Sequence, residues 1–234
     1  MTEEKKNNYR KIILKKAFQD VIYLIERGYH KNSSINFVTA QYQLSKLEKN
    51  IIFRTSASLK LREEFTKKKV SNLRDKEVAI DGFNILITVE KILEGSNLLF
   101  RCLDTFLRDV AGVYGRYSEN ELTTQAMNLI IASLVKLEVK KTVFLIDSVV
   151  SHSGELAAKF RKLNPDHLVW EARTSRYVDI EVLDYATVLS HDAEVVKGAK
   201  EIFDLPLWIL KQQTPQVAYT DVNNWLSEDF LRVL

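Results

Sequence analysis

The stretch Val78-Ala79-Ile80-Asp81-Gly82-Phe83-Asn84 decides the predicted fold of this chain. Its first three residues form a short apolar run, which predicts a buried β-strand. The run stops at an acid, Asp81, and Gly82 gives the backbone the freedom to turn sharply after it. Asn84 follows within reach of the same turn. The stretch therefore predicts a strand that delivers a carboxylate and an amide to one edge of a sheet.

Two further strands are expected to end near an acid. Apolar residues 143–146 lead to Asp147, and the mostly apolar residues 186–189 lead through Ser190-His191 to Asp192. Parallel strands present their carboxyl ends at one edge of a sheet, and open α/β sheets bind ligands at that edge. We therefore expect the three acids to lie along one rim.

The composition fits one large or two small folded domains. The chain has 234 residues, of which 46% are hydrophobic, so it is long enough to bury a substantial core. It contains no apolar run of about 18 residues, so no membrane span is expected. No secretion signal is visible, and Cys102 is the only cysteine, so a reducing, cytoplasmic location is expected. The apolar neighbours of Cys102 favour a buried structural thiol over a nucleophile.

The charge is unevenly distributed along the chain. Residues 1–77 carry 18 Lys and Arg against 9 Asp and Glu, a net charge of +9, whereas residues 78–234 carry 16 against 22, a net charge of −6. A basic part joined to a part with clustered carboxylates suits a polyanion that one part holds and the other cuts. The alternative is that the lysines only solvate a helical surface.

Three helices are expected in the basic part. Residues 5–27 carry apolar side chains at helical spacing, and a second stripe continues through residues 37–51. These two are expected to pack as an antiparallel pair. A weaker helical segment, residues 57–70, contains the run Lys67-Lys68-Lys69. Such a run is usually solvated surface, but its place just before the first strand leaves open a contact with phosphate.

The acidic part is expected to alternate strands and helices. Besides the acid-bearing strands, the pattern predicts helices across most of 85–138, at 154–163 and at 193–203, and further strands at 168–172, 178–183 and 206–210. Ser118 and Glu121 match a capping box and predict a helix start. This alternation predicts the α/β class, with a central, mostly parallel sheet flanked by helices in residues 77–234, preceded by a basic helical domain in residues 1–76.

The expected rim of acids predicts a metal site. Crowded carboxylates repel one another unless a cation lies between them, and Mg²⁺ commonly takes a few carboxylates together with water and substrate phosphate. We therefore expect Asp81, Asp147 and Asp192 to hold Mg²⁺ or Mn²⁺ for phosphodiester hydrolysis, with Asn84 positioning water or phosphate. The alternative for each aspartate taken alone is the more common one, a helix cap or a turn.

Neighbouring polar residues are further candidates for this site. Ser148 and Ser190 would add hydrogen bonds, and Asp179 or Asp184 would supply a fourth ligand. Both acids fit strand or turn surface equally well. His191 fits a ligand, a proton carrier or a phosphate contact, and it fits an ordinary polar loop residue as well.

Other chemistries lack their sequence signals. No glycine-rich phosphate loop followed by Lys and Ser or Thr is present, and no Gly-x-Gly-x-x-Gly follows the first strand, which argues against an ATP-driven or nicotinamide enzyme. No Cys and His cluster supports zinc, and no Gly-x-Ser-x-Gly nucleophile elbow occurs.

At these motifs the chain resembles the PIN-like nuclease superfamily, which includes NYN domains. Members open with a strand ending in Asp-Gly-x-Asn, as Asp81-Gly82-Phe83-Asn84 does, and carry a second strand-end acid, which Asp147 resembles. They also carry a late Ser-x-Asp, matched by Ser190-His191-Asp192. The resemblance covers roughly residues 77–210. It departs from the family pattern because Ala193-Glu194 follows the late acid and the usual acid on a middle helix is not assigned.

The basic part has a resemblance of its own. The segment Leu24-Ile25-Glu26-Arg27-Gly28-Tyr29 matches the Leu-x-x-Arg-Gly-Tyr of a bipartite prokaryotic family in which helices precede a nuclease-like half. Together the resemblances imply a metal-dependent ribonuclease with RNA as its partner. Some PIN-like proteins keep the fold and lose the metal site, so an inactive nucleic-acid-binding or protein-interaction module is the alternative. A homodimer or another protein partner, bound through the N-terminal helices, is also expected.

Overall fold

The computed structural model describes residues 3–110, 117–163 and 169–227. Four helices form the N-terminal region: α1 Glu3–Glu26, α2 Lys31–Tyr42, α3 Lys46–Thr55 and α4 Leu59–Lys68. Their shared core contains Phe18, Ile22, Ile35 and Ile52. Apolar side chains at helical spacing on each helix explain this cluster. No described helix combines the length and the apolarity that a bilayer span requires.

The remaining elements alternate strands and helices. In chain order they are β1 Glu77–Asp81, α5 Gly82–Leu93, β2 Leu99–Arg101, β3 Leu107–Asp109, α6 Thr123–Lys136, β4 Lys141–Asp147, α7 Ser153–Lys162, β5 Val169–Ser175, α8 Val178–Glu181 with a 3-10 turn Val182–Asp184, β6 Thr187–Leu189, α9 Ala193–Gly198, β7 Glu201–Ile202, α10 Leu205–Gln213, β8 Thr220–Asp221 and α11 Val222–Ser227.

A five-stranded parallel sheet forms the centre of this part, with the order β5-β4-β1-β6-β7. Side chains alternate between its two faces: Val78 and Ile80 of β1 enter one core, and Ala79 enters the other. All three are fully buried, as expected for a strand covered on both faces. The predicted α/β class with a parallel sheet and an N-terminal helical region is confirmed.

The predicted second helix is wrong in its length. It is divided into α2 and α3 because Gln43 adopts a left-handed φ of 49° and Ser45 starts a new helix. The Ser45 hydroxyl accepts a hydrogen bond from the Glu48 amide, while the Glu48 carboxylate accepts one from the Ser45 amide. This reciprocal cap is a strong helix start. Because Phe37 and Leu47 now lie on different helices, they no longer share one apolar face, and both are exposed.

The helices predicted across most of residues 85–138 are also wrong in the middle of that range. Residues 99–101 and 107–109 form β2 and β3, which pair antiparallel, and β8 adds a parallel third strand. The turn between β2 and β3 places Thr105 at a left-handed φ of 70°. The predicted start at Ser118 is wrong too, since α6 begins at Thr123.

Two segments predicted as strands are helical. Residues 178–184 form α8 and the 3-10 turn, and residues 205–213 form α10. In α10, Pro206 lies in the first turn, where its missing N–H costs nothing, and Asp204 accepts a hydrogen bond from the Leu207 amide as a cap. Short apolar runs fit a strand and a buried helix alike, which is why both predictions failed.

Candidate active site

Strand register brings the first and third motifs together at the carboxyl edge of the sheet. Ile80 pairs with Leu189, so that Ser190 lies level with Asp81. The Ser190 hydroxyl donates a hydrogen bond to the Asp81 carboxylate, with 2.9 Å between Oγ and Oδ2. The predicted convergence of these two strand ends is therefore present in the structure.

Asp147 and Asp192 each lie two residues beyond the position that is level with Asp81. Leu145 pairs with Asp81, so Asp147 is two residues beyond that level on β4. Asp192 is likewise two residues beyond Ser190. Two residues of extended chain span about 6.6 Å. Asp147 therefore stands higher above this edge than Asp81, and Asp192 lies in the loop that follows β6.

Gly82 allows β1 and β4 to lie this close at the turn. A Cβ atom at Gly82 would lie 2.8 Å from the Leu145 carbonyl oxygen and 3.0 Å from Cγ1 of Ile146. A Cβ atom this close to the backbone of β4 could be accommodated only if the strand moved. Gly82 thus lets α5 begin directly after β1, with Asp81 at its N-terminus.

Asp81 is buried and has a strongly raised pKa. It is 5% exposed. Burial, and then the negative charges of Asp179 and Asp192, raise the pKa of Asp81 to about 7, although the hydrogen bond from Ser190 opposes this. No lysine or arginine in the described ranges forms an ion pair with it. A buried carboxylate among other carboxylates is a costly arrangement unless a proton or a cation neutralises it.

Asp179 belongs to the same electrostatic group. It lies on α8, and burial, Asp192 and Asp147 together raise its pKa. We call Asp81, Asp147, Asp179 and Asp192 the acid rim. Asp179 and Asp184 are both exposed. The charges that raise the pKa values of Asp81 and Asp179 come from Asp147, Asp179 and Asp192. Of the two predicted fourth acids, the structure thus groups Asp179 with the others.

Local hydrogen bonds also hold two of these acids, as the alternative prediction stated. Oδ1 of Asp147 accepts a hydrogen bond from the Val149 amide at 2.9 Å. Oδ1 of Asp192 caps α9 by accepting from the amides of Glu194 and Val195, at 2.9 and 3.3 Å. Asp81 occupies the N-cap position of α5 without a close side-chain cap, although the Asn84 amide acts to lower its pKa. Capping therefore explains Asp147 and Asp192 better than Asp81, which is the buried one of the three.

Asn84 and Ser190 hold the β6–α9 loop against α5. Oδ1 of Asn84 accepts a hydrogen bond from the His191 amide at 2.9 Å. The Ser190 hydroxyl accepts one from the Asp192 amide at 3.1 Å while it donates to Asp81. Both side chains thus position the acids on either side of them. Ser148 lies exposed at the end of β4, with its amide bonded to the Ser175 carbonyl.

His191 has a structural environment. Its ring is 2% exposed, and Nε2 lies 2.8 Å from the Thr88 hydroxyl. Burial, together with the charges of Arg108 and Arg54, holds the pKa of His191 well below its usual range. The ring is therefore neutral and turned into the fold, which fits the polar-residue alternative better than a ligand or a proton carrier.

The predicted lysine run is divided between solvent and internal contacts. Lys67 is exposed. Nζ of Lys68 binds Glu64 at 2.9 Å and the carbonyl oxygens of α9, and Nζ of Lys69 lies 3.7 Å from Asp204 and 3.8 Å from the ring centre of Phe106. Two of the three lysines are thus committed to holding α4 onto the sheet.

The acid rim supplies the donor type that a hard divalent cation takes, because all four side chains offer carboxylate oxygens. Asp81 and Asp179 are held in surroundings that a cation would relieve. The oxygens are not yet convergent: among the described residues, no three His, Cys, Asp or Glu side chains are arranged to hold a metal ion. The rim residues would hold Mg²⁺ or Mn²⁺ only after side-chain rotation toward one point.

Sequence reasoning missed a group of basic and polar residues beside the rim. Lys31, Arg54, Ser56 and Arg108 line a cavity that also reaches Asn84. Arg108 is buried in the structure, at 5% exposure, but Arg101, Asp104 and Asp109 lie in the same stretch, so the sequence did not single it out.

Comparisons with known proteins find two family models that match successive parts of the chain. Residues 70–208 match the model described as "Domain of unknown function (DUF5616)", and residues 13–68 match "Protein of unknown function (DUF434)". The "Uncharacterized protein MJ0935" of Methanocaldococcus jannaschii is 36% identical over 198 residues, which cover 82% of this chain and 94% of that relative. No solved structure matches the chain.

Proposed function

The chain belongs to the family described as a domain of unknown function (DUF5616), and from the geometry of its acid rim we propose that it is a Mg²⁺- or Mn²⁺-dependent ribonuclease. The observation that carries this proposal is the environment of Asp81, a buried carboxylate beside other carboxylates without a basic partner in the described ranges. Folds rarely retain an unneutralised buried acid, and perturbed acids of this kind concentrate at functional sites.

In this proposal, the residues of the chain hold the rim carboxylates in position and supply the negative charge that binds the metal ion. Ser190 fixes Asp81, and Asn84 fixes the loop that carries Asp192. The rim thereby keeps acids from three neighbouring strand ends and from α8 on one side of the sheet. When bound, the divalent ion would polarise a phosphodiester oxygen and lower the pKa of a water molecule.

RNA is the proposed substrate for two reasons. Residues 1–77 carry a net charge of +9, which favours a polyanion. The resemblance of the motifs at Asp81, Asp147 and Asp192 to PIN-like nucleases implies a ribonuclease. Charge alone does not separate RNA from other polyanions, so the substrate assignment depends on the resemblance.

A nucleic-acid-binding module without catalysis is the second candidate. The backbone hydrogen bonds to Oδ1 of Asp147 and Asp192 favour it, because each bond occupies an oxygen that a metal ion would otherwise use. This candidate predicts RNA binding that weakens steeply with salt and does not depend on metal.

The test is cleavage of a broad panel of RNAs with Mn²⁺ by the wild type and by the Asp81→Asn/Asp147→Asn double variant. Asp184→Asn is the matched control, since Asp184 is an exposed acid of the same half. We expect cleavage by the wild type and the control and loss by the double variant. Equal cleavage by all three, or none by any of them across the panel, would refute the ribonuclease proposal.

A further inference from the structure

A cavity of about 420 Å³ lies where the helical region meets the α/β part. Residues from the start of α2 and the end of α3 form one wall, and Asn84, Arg108 and residues 191–194 contribute to the other. We call it the junction pocket. Its volume falls within the roughly 300–1,000 Å³ of small-molecule sites, so it accommodates more than a single ion.

Two buried polar groups of the junction pocket lack partners. Nη2 of Arg108 and Oγ of Ser56 form no hydrogen bond with any described residue. Arg108 is 5% exposed and Ser56 is 3% exposed. A buried donor without an acceptor costs about 1–3 kcal/mol, and more when it is charged. Both residues line the cavity, so rotation of either side chain toward it would offer the donor to an acceptor bound there.

Three cations, Lys31, Arg54 and Arg108, and three acids, Asp104, Asp192 and Glu194, line the junction pocket. Asp104 is occupied by Arg108, with 2.7 Å between Oδ1 and Nη1. Lys31 and Arg54 remain, and their contacts go to neutral carbonyl oxygens: Nζ of Lys31 to Ser56 at 2.7 Å and Nη1 of Arg54 to Asp109 at 3.0 Å.

The ionisation of Lys31 reflects its burial beside Arg108. Burial, and then the charge of Arg108, lower the pKa of Lys31 to about 8, although Asp104 opposes this shift. An anion in the junction pocket would offset both effects. The acids Asp192 and Glu194 also line the cavity, and Asp192 marks the end where the junction pocket meets the acid rim.

We propose that the junction pocket binds the phosphate group of a terminal nucleotide, carried either by the end of an RNA strand or by a free nucleoside monophosphate. Arg108 and Ser56 provide the unpartnered donors, while Lys31 and Arg54 provide further charge. Phosphate suits this set because its several oxygens accept from guanidinium, ammonium and hydroxyl donors at once.

The junction pocket also offers a surface for the base. Phe53 lines the cavity and is 45% exposed, and stacking of a base on an aromatic ring is tolerant of sequence. Binding of the end of an RNA strand rests on the proposed function, since Asn84 and Asp192 place this pocket directly beside the acid rim. A phosphate held here would direct the adjoining strand toward the carboxylates.

The experiment measures binding without cleavage, by fluorescence anisotropy in EDTA. The probes are one short RNA with a 5′-phosphate, a 3′-phosphate or hydroxyls at both ends, and AMP as an unlabelled competitor. Ser56→Ala removes an unpartnered hydroxyl and leaves the backbone carbonyl that binds Lys31 in place. Arg54→Gln removes one charge. Lys60→Gln is the control, as Lys60 is an exposed cation on α4.

We expect one phosphate-ended RNA to bind about tenfold more tightly than the hydroxyl-ended RNA, the gain of a charge-assisted hydrogen bond. Ser56→Ala and Arg54→Gln should abolish this preference, and Lys60→Gln should keep it. If AMP at the same concentration as the RNA probe displaces the probe, the junction pocket is assigned to free nucleotides. If the probe stays bound, the junction pocket is assigned to strand ends. No end-phosphate preference and no competition by AMP, or a preference unchanged in both pocket variants, would overturn the assignment.

The two proposals fail separately. An end-phosphate preference in a protein that cleaves no RNA would refute the nuclease and leave the junction pocket standing. Metal-dependent cleavage without any end-phosphate preference or AMP competition would refute the junction pocket alone.

Discussion

Replacement of Asp81 by asparagine is expected to stabilise the metal-free protein above neutral pH. Burial and neighbouring acids raise the pKa of Asp81 from 3.8 to about 7. At about 1.4 kcal/mol per pKa unit, the ionised side chain destabilises the native state by up to about 4 kcal/mol at pH 8. An amide removes the charge but adds N–H donors that cost about 1–3 kcal/mol when unpaired. The expected net gain is therefore about 1–3 kcal/mol.

The pH at which the Asp81 carboxyl ionises determines where the Asp81→Asn variant is more stable than the wild type. Between about pH 4 and pH 7 the unfolded carboxyl has lost its proton while the native one retains it, so unfolding releases a proton. Wild-type stability due to this group is therefore full below about pH 4 and falls as the pH rises to about 7. The amide in the Asp81→Asn variant does not titrate, so the advantage of this variant over wild type should be large at pH 8 and small or reversed at pH 4.

The assay is urea unfolding at pH 4 and pH 8, in EDTA and in Mn²⁺, with Asp184→Asn as the control for loss of an exposed acid. Mn²⁺ should stabilise the wild type at pH 8, since a ligand that binds only the native state adds to its stability, and it should stabilise Asp81→Asn less. A variant no more stable than wild type at pH 8 in EDTA, with the same difference at both pH values, would refute the reasoning about Asp81.

Three further predictions concern the same edge of the sheet. Gly82→Ala should destabilise the fold by about 1–3 kcal/mol in urea unfolding, because its Cβ meets backbone 2.8 Å away, whereas Gly154→Ala meets nothing within 4 Å and should be neutral. Asp179→Asn should weaken Mn²⁺ binding in calorimetry by about tenfold or more, the loss of a ligand worth at least 1.4 kcal/mol, and Asp184→Asn should not. Ser190→Ala should also weaken it, since the hydroxyl fixes a rim carboxylate.

The strands of the acid rim were predictable because parallel strands buried on both faces consist of continuous apolar runs. The runs before Asp81, Asp147 and Asp192 each form a strand, and the three strands are neighbours in the sheet. Side-chain burial dominated at these positions, and a local pattern was sufficient to find them.

Segments whose structure depends on distant partners were not predictable. Residues 98–110 have an apolar composition typical of a helix face, but they form two strands that are completed by Thr220 and Asp221 more than a hundred residues later. Their apolar side chains are buried in either structure, so composition does not distinguish the two. Tertiary pairing overrides such weak local preferences.

The choice between Asp179 and Asp184 shows the same limit within the site. Both are acids in one short segment that resembles a strand in sequence. The actual structure is α8 followed by a 3-10 turn, and both acids are exposed. Of the two, Asp179 is the one whose charge acts on Asp81. A change from strand to helix alters which side chains share a face, so the wrong element type left the fourth acid undecided.

Hydrogen bonds fix the helical region to the α/β part. The Leu103 amide donates to the Thr55 carbonyl, Arg54 donates to the Asp109 carbonyl, and Asn50 donates to the Val110 carbonyl, so the end of α3 is fixed to the β2–β3 hairpin. These bonds hold two walls of the junction pocket in place. The α/β part alone would keep every acid of the rim but lose the hydroxyl of Ser56 and two of the three cations beside it. If the junction pocket binds phosphate as we propose, charge to neutralise it would then be missing next to carboxylates that repel it, which would give a physical reason for the two parts to occur in one chain.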